Sequence, residues 1–245
     1  RQERSCKAKE VFLHTMMDIK NRLFKFREGL RNRDLDAALI TKRENYFYMS
    51  GFTGSSAYLL ITLDDAFLIT DFRYVEQAEK QAPLYQVVQH QYSPVTTVIY
   101  ELIKKTDIKN IGFEESSLTY EKYCEYKEKL DIVNFVPLKG LVEELRVIKD
   151  EEELAVLKKA VKIADNAFVH VLNYIRPGVS EIEIAAEIEY FMKKNGASGP
   201  SFETIVASGL RSSMPHGVAS EKKLEMGDPL TMDYGAVYEG YCSDI

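Results

Sequence analysis

Thr231-Met232-Asp233-Tyr234-Gly235-Ala236-Val237-Tyr238-Glu239-Gly240-Tyr241-Cys242-Ser243-Asp244-Ile245 sets two aspartates eleven positions apart among residues of strand character. If the strand reverses around Tyr238 and Glu239, with Gly240 easing the turn, Asp233 and Asp244 become directly opposed cross-strand neighbours, their Cβ atoms roughly 5 Å apart. Both carboxylates then point the same way. Carboxylates so placed can bind two divalent ions roughly 3.5–4 Å apart, the arrangement that turns a bridging water into a nucleophile. On spacing alone the competing reading, a hairpin with two solvated aspartates, is favoured, because acidic residues are common beside turns.

The surrounding segments change that balance. Ser201-Phe202-Glu203-Thr204-Ile205-Val206-Ala207-Ser208-Gly209, then Met214-Pro215-His216-Gly217, then Gly227-Asp228, lead in order to the Asp233–Asp244 segment. In order and spacing these four motifs resemble the pita-bread metallopeptidases, the family of Xaa-Pro aminopeptidase and prolidase. The resemblance implies that Asp233 and Asp244 are metal ligands and that His216 contacts the substrate near the scissile bond. It also implies three later ligands, a His and two Glu, that the 245 residues do not reach, so that this chain by itself is expected to be inactive.

The implied chemistry is hydrolysis of the bond before proline by a dinuclear metal-bound hydroxide. The implied cofactors are two divalent ions, manganese or cobalt first and zinc as the other option, bound weakly or not at all by this chain alone. The implied partners are a proline-containing peptide and a second copy in a homodimer. Both aspartates argue against the creatinase route, which uses the same fold without metal. The alternative is a non-catalytic dimerisation or peptide-binding member of the same fold.

Composition bounds the remaining classes. A chain of 245 residues with 45% hydrophobic and 29% charged residues has the make-up of a globular protein of one large or two ordinary domains. The net charge of −6, without a dense Lys/Arg block, disfavours nucleic-acid binding. Apolar runs are short, such as Tyr58-Leu59-Leu60-Ile61, so a membrane span is not expected. Three widely spaced cysteines, Cys6, Cys124 and Cys242, form neither a disulfide framework nor a zinc knuckle, which suits a reducing cytoplasm. Residues 1–16 are basic, with only Val11-Phe12-Leu13 as an apolar core, and are expected to be a leader or an expression remnant, with Met16 or Met17 as the start.

Helical spacing of Ile19, Leu23, Phe26 and Leu30 predicts a helix from Asp18 to Arg33. The Ser50-Gly51-Phe52-Thr53-Gly54-Ser55 turn is not a phosphate loop, since no Gly-Lys-Ser/Thr opens a helix after it. A hairpin over 57–70 and alternating helical and extended stretches to Val136 predict an α/β layer with helices on a mixed sheet. Residues 46–55 and Ile69-Thr70-Asp71-Phe72-Arg73-Tyr74 resemble the creatinase-type amino-terminal domain. The expected organisation is therefore that domain over 17–137, a linker over 138–149, and over 150–245 the first half of an α+β pita-bread domain, truncated after the second ligand aspartate.

Capping boxes at Asp150/Glu153 and Ser180/Glu183 predict two helices. The first is expected to run about 25 residues, roughly 38 Å, with Leu154, Leu157, Val161, Ala164, Phe168, Val171 and Ile175 on its buried face until Pro177-Gly178. Among the other histidines, His170 reads as a helix surface residue, His90 as a strand end and His14 as leader. Asp71 with Arg73 reads as a buried salt bridge; because the corresponding family domain packs near a neighbouring subunit's site, a functional part for Arg73 is the alternative. Cys242 reads as structural, although strand parity alone does not remove it as a soft ligand.

Overall fold

The computed structural model describes residues 18–90 and 93–245. The expected leader, with Cys6, His14, Met16 and Met17, lies outside the described residues. Two compact units divide the chain, one ending at Ile148 and the other beginning at Lys149.

In the first unit six strands form a mixed sheet in the order β4-β3-β2-β1-β5-β6. They are β1 (Ala37–Ile40), β2 (Tyr58–Thr62), β3 (Ala66–Thr70), β4 (Gln86–Gln89), β5 (Asn110–Phe113) and β6 (Asn134–Pro137). β1 to β3 are antiparallel neighbours, whereas β3–β4, β1–β5 and β5–β6 are parallel. Parallel neighbours need a crossover, and α3 (Val75–Gln81) joins β3 to β4 as α5 (Tyr120–Lys129) joins β5 to β6. The two-residue period of the strands then sorts the core. Ala38, Ile40, Leu59, Ile61 and Leu68 pack with Leu23, Phe26 and Leu30 of α1, which covers 18–31. Ala37, Leu39, Leu60, Ile69 and Ile111 pack on the other face with Ile99 and Ile103 of α4 (Val95–Ile103) and with Tyr126 of α5.

One part of this unit departs from expectation, and another forms an element that the sequence pattern leaves unassigned. The stretch 138–149 is not a plain linker, because Leu141–Val147 forms helix α6, with Leu141 and Val142 in the first unit's core. Leu141 fits against α1 because residue 29 is glycine; a Cβ there would collide with the Leu141 side chain. The aromatic stretch before Gly51 is helix α2 (Arg43–Ser50), in spite of residues with weak helical preference. Tertiary contacts hold it: the Glu114 carboxylate accepts from the backbone N–H of Thr41 and Lys42 and from Asn45 Nδ2, at 2.6, 2.8 and 2.7 Å. At the far end Gly51, with φ of 75°, closes it by donating to the Phe47 carbonyl.

The second unit opens on α7 (Glu151–Val171) and α8 (Glu181–Lys194), and both predicted capping boxes are formed. α7 is shorter than expected, at 21 residues. Asn173 Nδ2 donates to the His170 carbonyl and turns the chain before Arg176-Pro177, where a helical residue preceding proline would clash. Its buried face also differs. Ala160, Ile163, Ala164, Ala167 and Val171 are buried, whereas Leu154, Val161 and Phe168 are exposed. Two apolar arcs overlap on this helix, and the one rich in alanine faces the core because small side chains allow the closer approach.

Against α7 and α8 lie β7 (Gly199–Pro200), β8 (Ile205–Ser208), β9 (Leu230–Asp233), β10 (Ala236–Tyr238) and β11 (Tyr241–Cys242), paired as β11-β10-β7 and β8-β9. Val206, Tyr234 and Ala236 share a core with Ile163, Ala167, Ile184, Ile188 and Met192. The outcome is the expected order, a mixed α/β sheet and then helix-covered strands. Among the described residues no helix is long and apolar enough to cross a membrane.

Candidate functional site

The hairpin carrying the two aspartates turns one residue later than expected. Tyr238 pairs with Tyr241 and Val237 with Cys242, so Glu239 and Gly240 are the two turn residues, with φ of 47° and 83°. Two consecutive positive φ values define the tight turn whose twist matches its strands, and Gly240 supplies one without strain. Reciprocal bonds between Tyr234 and Ile245, of 3.2 and 3.0 Å, carry the same register to the end of the chain. Asp244 is therefore opposite Gly235, and Asp233 is its diagonal neighbour. The expected direct opposition is corrected to a diagonal one, for which Cα atoms are typically ~7–8 Å apart. Strand parity nevertheless keeps both aspartates on one face. Tyr234, Ala236 and Ser243 alternate with them and are buried, so the aspartates occupy the face turned away from α7 and α8.

Gly235 is fixed by crowding. Ser201 donates its N–H to the Gly235 carbonyl and its hydroxyl to the Ser243 carbonyl, at 2.9 and 2.8 Å, and a Cβ on residue 235 would run into both Ser201 Oγ and Ser243 O. Asp233 is half-buried at the end of β9, paired with Ile205 of β8; Asp244 is exposed. Ile205 also bridges Val218 on its other side. Val218, Ile205 and Asp233 thus sit on successive rungs, about 4.8 Å apart each. This brings the turn at His216, two residues before Val218, to the same strands as Asp233. His216 itself is exposed.

The loop bearing His216 is held by a residue that sequence reasoning missed. Glu181, in the first turn of α8, is sealed from solvent. Its Oε1 accepts from Ser208 N and Oγ at 2.7 and 2.9 Å, and its Oε2 from Arg211 Nε, Ser220 N and Ser220 Oγ at 3.1, 3.1 and 2.6 Å. Burial pushes this carboxyl up, but the bonds from Ser220 and Ser208 together outweigh it and bring it down to about 2. Beside it Lys222 Nζ bridges Ser208 Oγ and Asp228 Oδ2, at 2.9 and 2.7 Å, which gives the Gly227-Asp228 motif a structural task. In sequence Glu181 looks like one more acidic residue favoured by a helix N-terminus, and only the fold reveals its partners.

The remaining candidates resolve as follows. His170 is not a plain surface residue: it is half-buried, its Nε2 lies 2.6 Å from Glu187 Oε1, and its ring stacks on Phe191. His90 ends β4 as expected, its N–H bonded to the Thr70 carbonyl. Arg73 pairs with Asp71 at 2.9 Å, but at the surface rather than buried, with the Arg73 side chain 61% exposed. Its guanidinium holds the Asp71 carboxyl at about 2. Cys242 is exposed and opposite Val237, on the same strand face as the aspartates.

Two carboxylates on one face offer hard oxygen donors of the kind that suit manganese, and so fit part of a divalent-ion site. Among the described residues no group of three or more His, Cys, Asp or Glu is gathered to hold a metal. The site is thus a pair of candidate carboxylate donors with a tethered loop beside it.

Comparisons with known proteins agree with both units. Residues 22–148 match the creatinase/prolidase N-terminal domain, and residues 155–245 match metallopeptidase family M24. The chain is similar to the solved Xaa-Pro dipeptidase from Bacillus anthracis, with 48% identity and a TM-score of 0.89, over 93% of this chain and 63% of that one. It is similar to the prolidase from Pyrococcus furiosus at 36% identity and a TM-score of 0.82, over 90% of this chain and 68% of that one. Among curated proteins it shares 46% identity with the uncharacterized peptidase YqhT of Bacillus subtilis, over 91% of this chain and 63% of that protein. The chain therefore spans a little under two thirds of the length of the first relatives it matches. On this evidence it belongs to the pita-bread metallopeptidases of family M24, with a creatinase/prolidase N-terminal domain ahead of the opening part of the catalytic domain.

Proposed function

We propose that this chain supplies the amino-terminal part of a metal-dependent Xaa-Pro peptidase, of the dipeptidase or aminopeptidase P type, in which Asp233 and Asp244 are metal ligands and His216 contacts the substrate. The observation that carries the reading is the shared strand face of Asp233 and Asp244, opposite the helix-packed core and bordered by the His216 loop. When bound, two divalent ions, manganese or cobalt by the hardness of the donors, would supply Lewis acidity and an ionised water. The chain's own residues do the rest. Asp233, at the end of β9, and Asp244, opposite Gly235, present their carboxylates on the shared strand face. His216 offers an imidazole N–H to the scissile carbonyl as negative charge builds on its oxygen.

A bond to proline has no N–H on its leaving nitrogen, so the site needs no acceptor there, which is compatible with selection for proline. The reading includes a homodimer, and a reducing cytoplasm, where unpaired Cys124 and Cys242 are at home.

Release of the first residue from Xaa-Pro and Xaa-Ala dipeptides and tripeptides tests the reading, with manganese present, for residues 1–245 and for the polypeptide extended to its natural stop codon. The extended protein is expected to cleave before proline in preference to alanine by at least tenfold, and residues 1–245 to show no metal-dependent cleavage. Equal cleavage of the alanine peptides, or full activity in residues 1–245, contradicts it.

A further inference from the structure

We propose that Glu181 is a positioning residue: its buried carboxylate sets the backbone of the loop that presents His216. The segment leaves β8 at Ser208, makes a tight turn over Gly209–Ser213, reaches its exposed apex at Pro215-His216 and returns to the strands where Val218 bridges Ile205. Among the described residues no hydrogen bond holds the His216 imidazole; only its carbonyl is engaged, by Val218 N at 2.9 Å. With no hydrogen bond of its own, that side chain takes its placement from the backbone beneath it, which fixes the position and direction of its Cα–Cβ bond.

Glu181 ties the backbone N–H of this loop at its entry (Ser208) and its exit (Ser220), and in its tight turn binds the Arg211 side chain, across 27, 39 and 30 residues of sequence. Arg211 passes the restraint on, donating Nη2 to the Val218 carbonyl at 2.7 Å. The anchor itself is fixed, because Ser180 and Glu183 cap the same helix end and Glu181 N donates to the Lys222 carbonyl at 3.0 Å. Five donors converge on two oxygens, and only an ionised carboxylate can accept them all; an amide presents one oxygen and turns two N–H groups toward donors. The carboxylate does not touch Asp233 or Asp244 through any of these bonds, so its effect should reach substrate handling and not metal content.

The inference rests on the reading of His216 given above, and its test separates the two. In the manganese-loaded polypeptide extended to its natural stop codon, Glu181→Gln, Ser220→Ala, His216→Ala and the Glu181→Gln/His216→Ala double variant are compared by backbone hydrogen exchange and by kcat and KM on an Xaa-Pro dipeptide.

Glu181→Gln is expected to speed exchange over 208–220 by roughly tenfold or more while leaving α7 and α8 unchanged. It is also expected to lower kcat roughly tenfold with manganese content intact, and to add nothing to the loss in His216→Ala. Ser220→Ala removes one donor and keeps the charge; it should give the same pattern more weakly, and it decides the matter if Glu181→Gln does not fold. Unchanged exchange in the loop, a uniform increase through the second unit, or independent losses in the double variant would overturn the proposal. If His216→Ala keeps full activity, the reading of His216 fails, and loop exchange alone still decides the role of Glu181.

Discussion

Glu181 and Glu114 are both sealed from solvent, yet their carboxyls move in opposite directions. Burial dominates at Glu114 and leaves it raised, in spite of the bonds from Thr41, Lys42 and Asn45. At Glu181 the bonds from Ser220 and Ser208 prevail, and the carboxyl falls from 4.5 to about 2. A depressed carboxyl stabilises the fold above its unfolded value and loses that contribution as pH falls toward its folded one. Glu181 should therefore contribute on the order of 3 kcal/mol at neutral pH, lost progressively between pH 4.5 and about 2. Urea unfolding of wild type and Glu181→Gln should show the widest gap in midpoint at pH 7 and a shrinking one below pH 4.5. A gap constant from pH 7 to 3 would show that charge is not what Glu181 contributes. Nothing in the sequence marks this residue as more than an acidic residue in the first turn of a capped helix, because its partners lie 27 to 39 residues away. His216, Asp233 and Asp244, by contrast, were legible as candidates because their motifs are local.

At the scale of the element, what the sequence makes legible follows how local the cause is. The capping boxes of α7 and α8 need only four consecutive residues and form as read. α2 depends on Glu114, 69 residues from Asn45, and was not foreseen. The buried face of α7 was misjudged because apolar pattern weights large residues, while contact with α8 and the strands selects alanines. The hairpin shows both sides. Strand parity put Asp233 and Asp244 on one face correctly, but turn placement was off by one residue and shifted Asp244 from Asp233 to Gly235. Gly235 therefore becomes the residue on which hairpin and aspartates both depend. Gly235→Ala should cost about 1–3 kcal/mol through overpacking against Ser201 and Ser243, and should weaken manganese binding by displacing Asp244. Thermal melting with and without manganese checks this; unchanged stability and unchanged metal response would contradict the crowding seen at this position.

For the whole molecule, alternation of helical and extended stretches was enough to place a mixed α/β layer ahead of helix-covered strands, since short connections leave few arrangements of such elements. Strand order was not legible. The run β4-β3-β2-β1-β5-β6 sets β1 beside β5, an association between residues more than seventy positions apart that no local pattern encodes. The two candidate metal ligands, Asp233 and Asp244, lie on one strand face, and that placement follows from the hairpin register. The most direct test is manganese content in the polypeptide extended to its natural stop codon, measured after dialysis for wild type, Asp233→Asn, Asp244→Asn and His216→Ala. About two ions per chain are expected in wild type and His216→Ala, falling below one in either aspartate variant. Full manganese content in the Asp233→Asn and Asp244→Asn proteins would contradict the assignment of these aspartates as ligands.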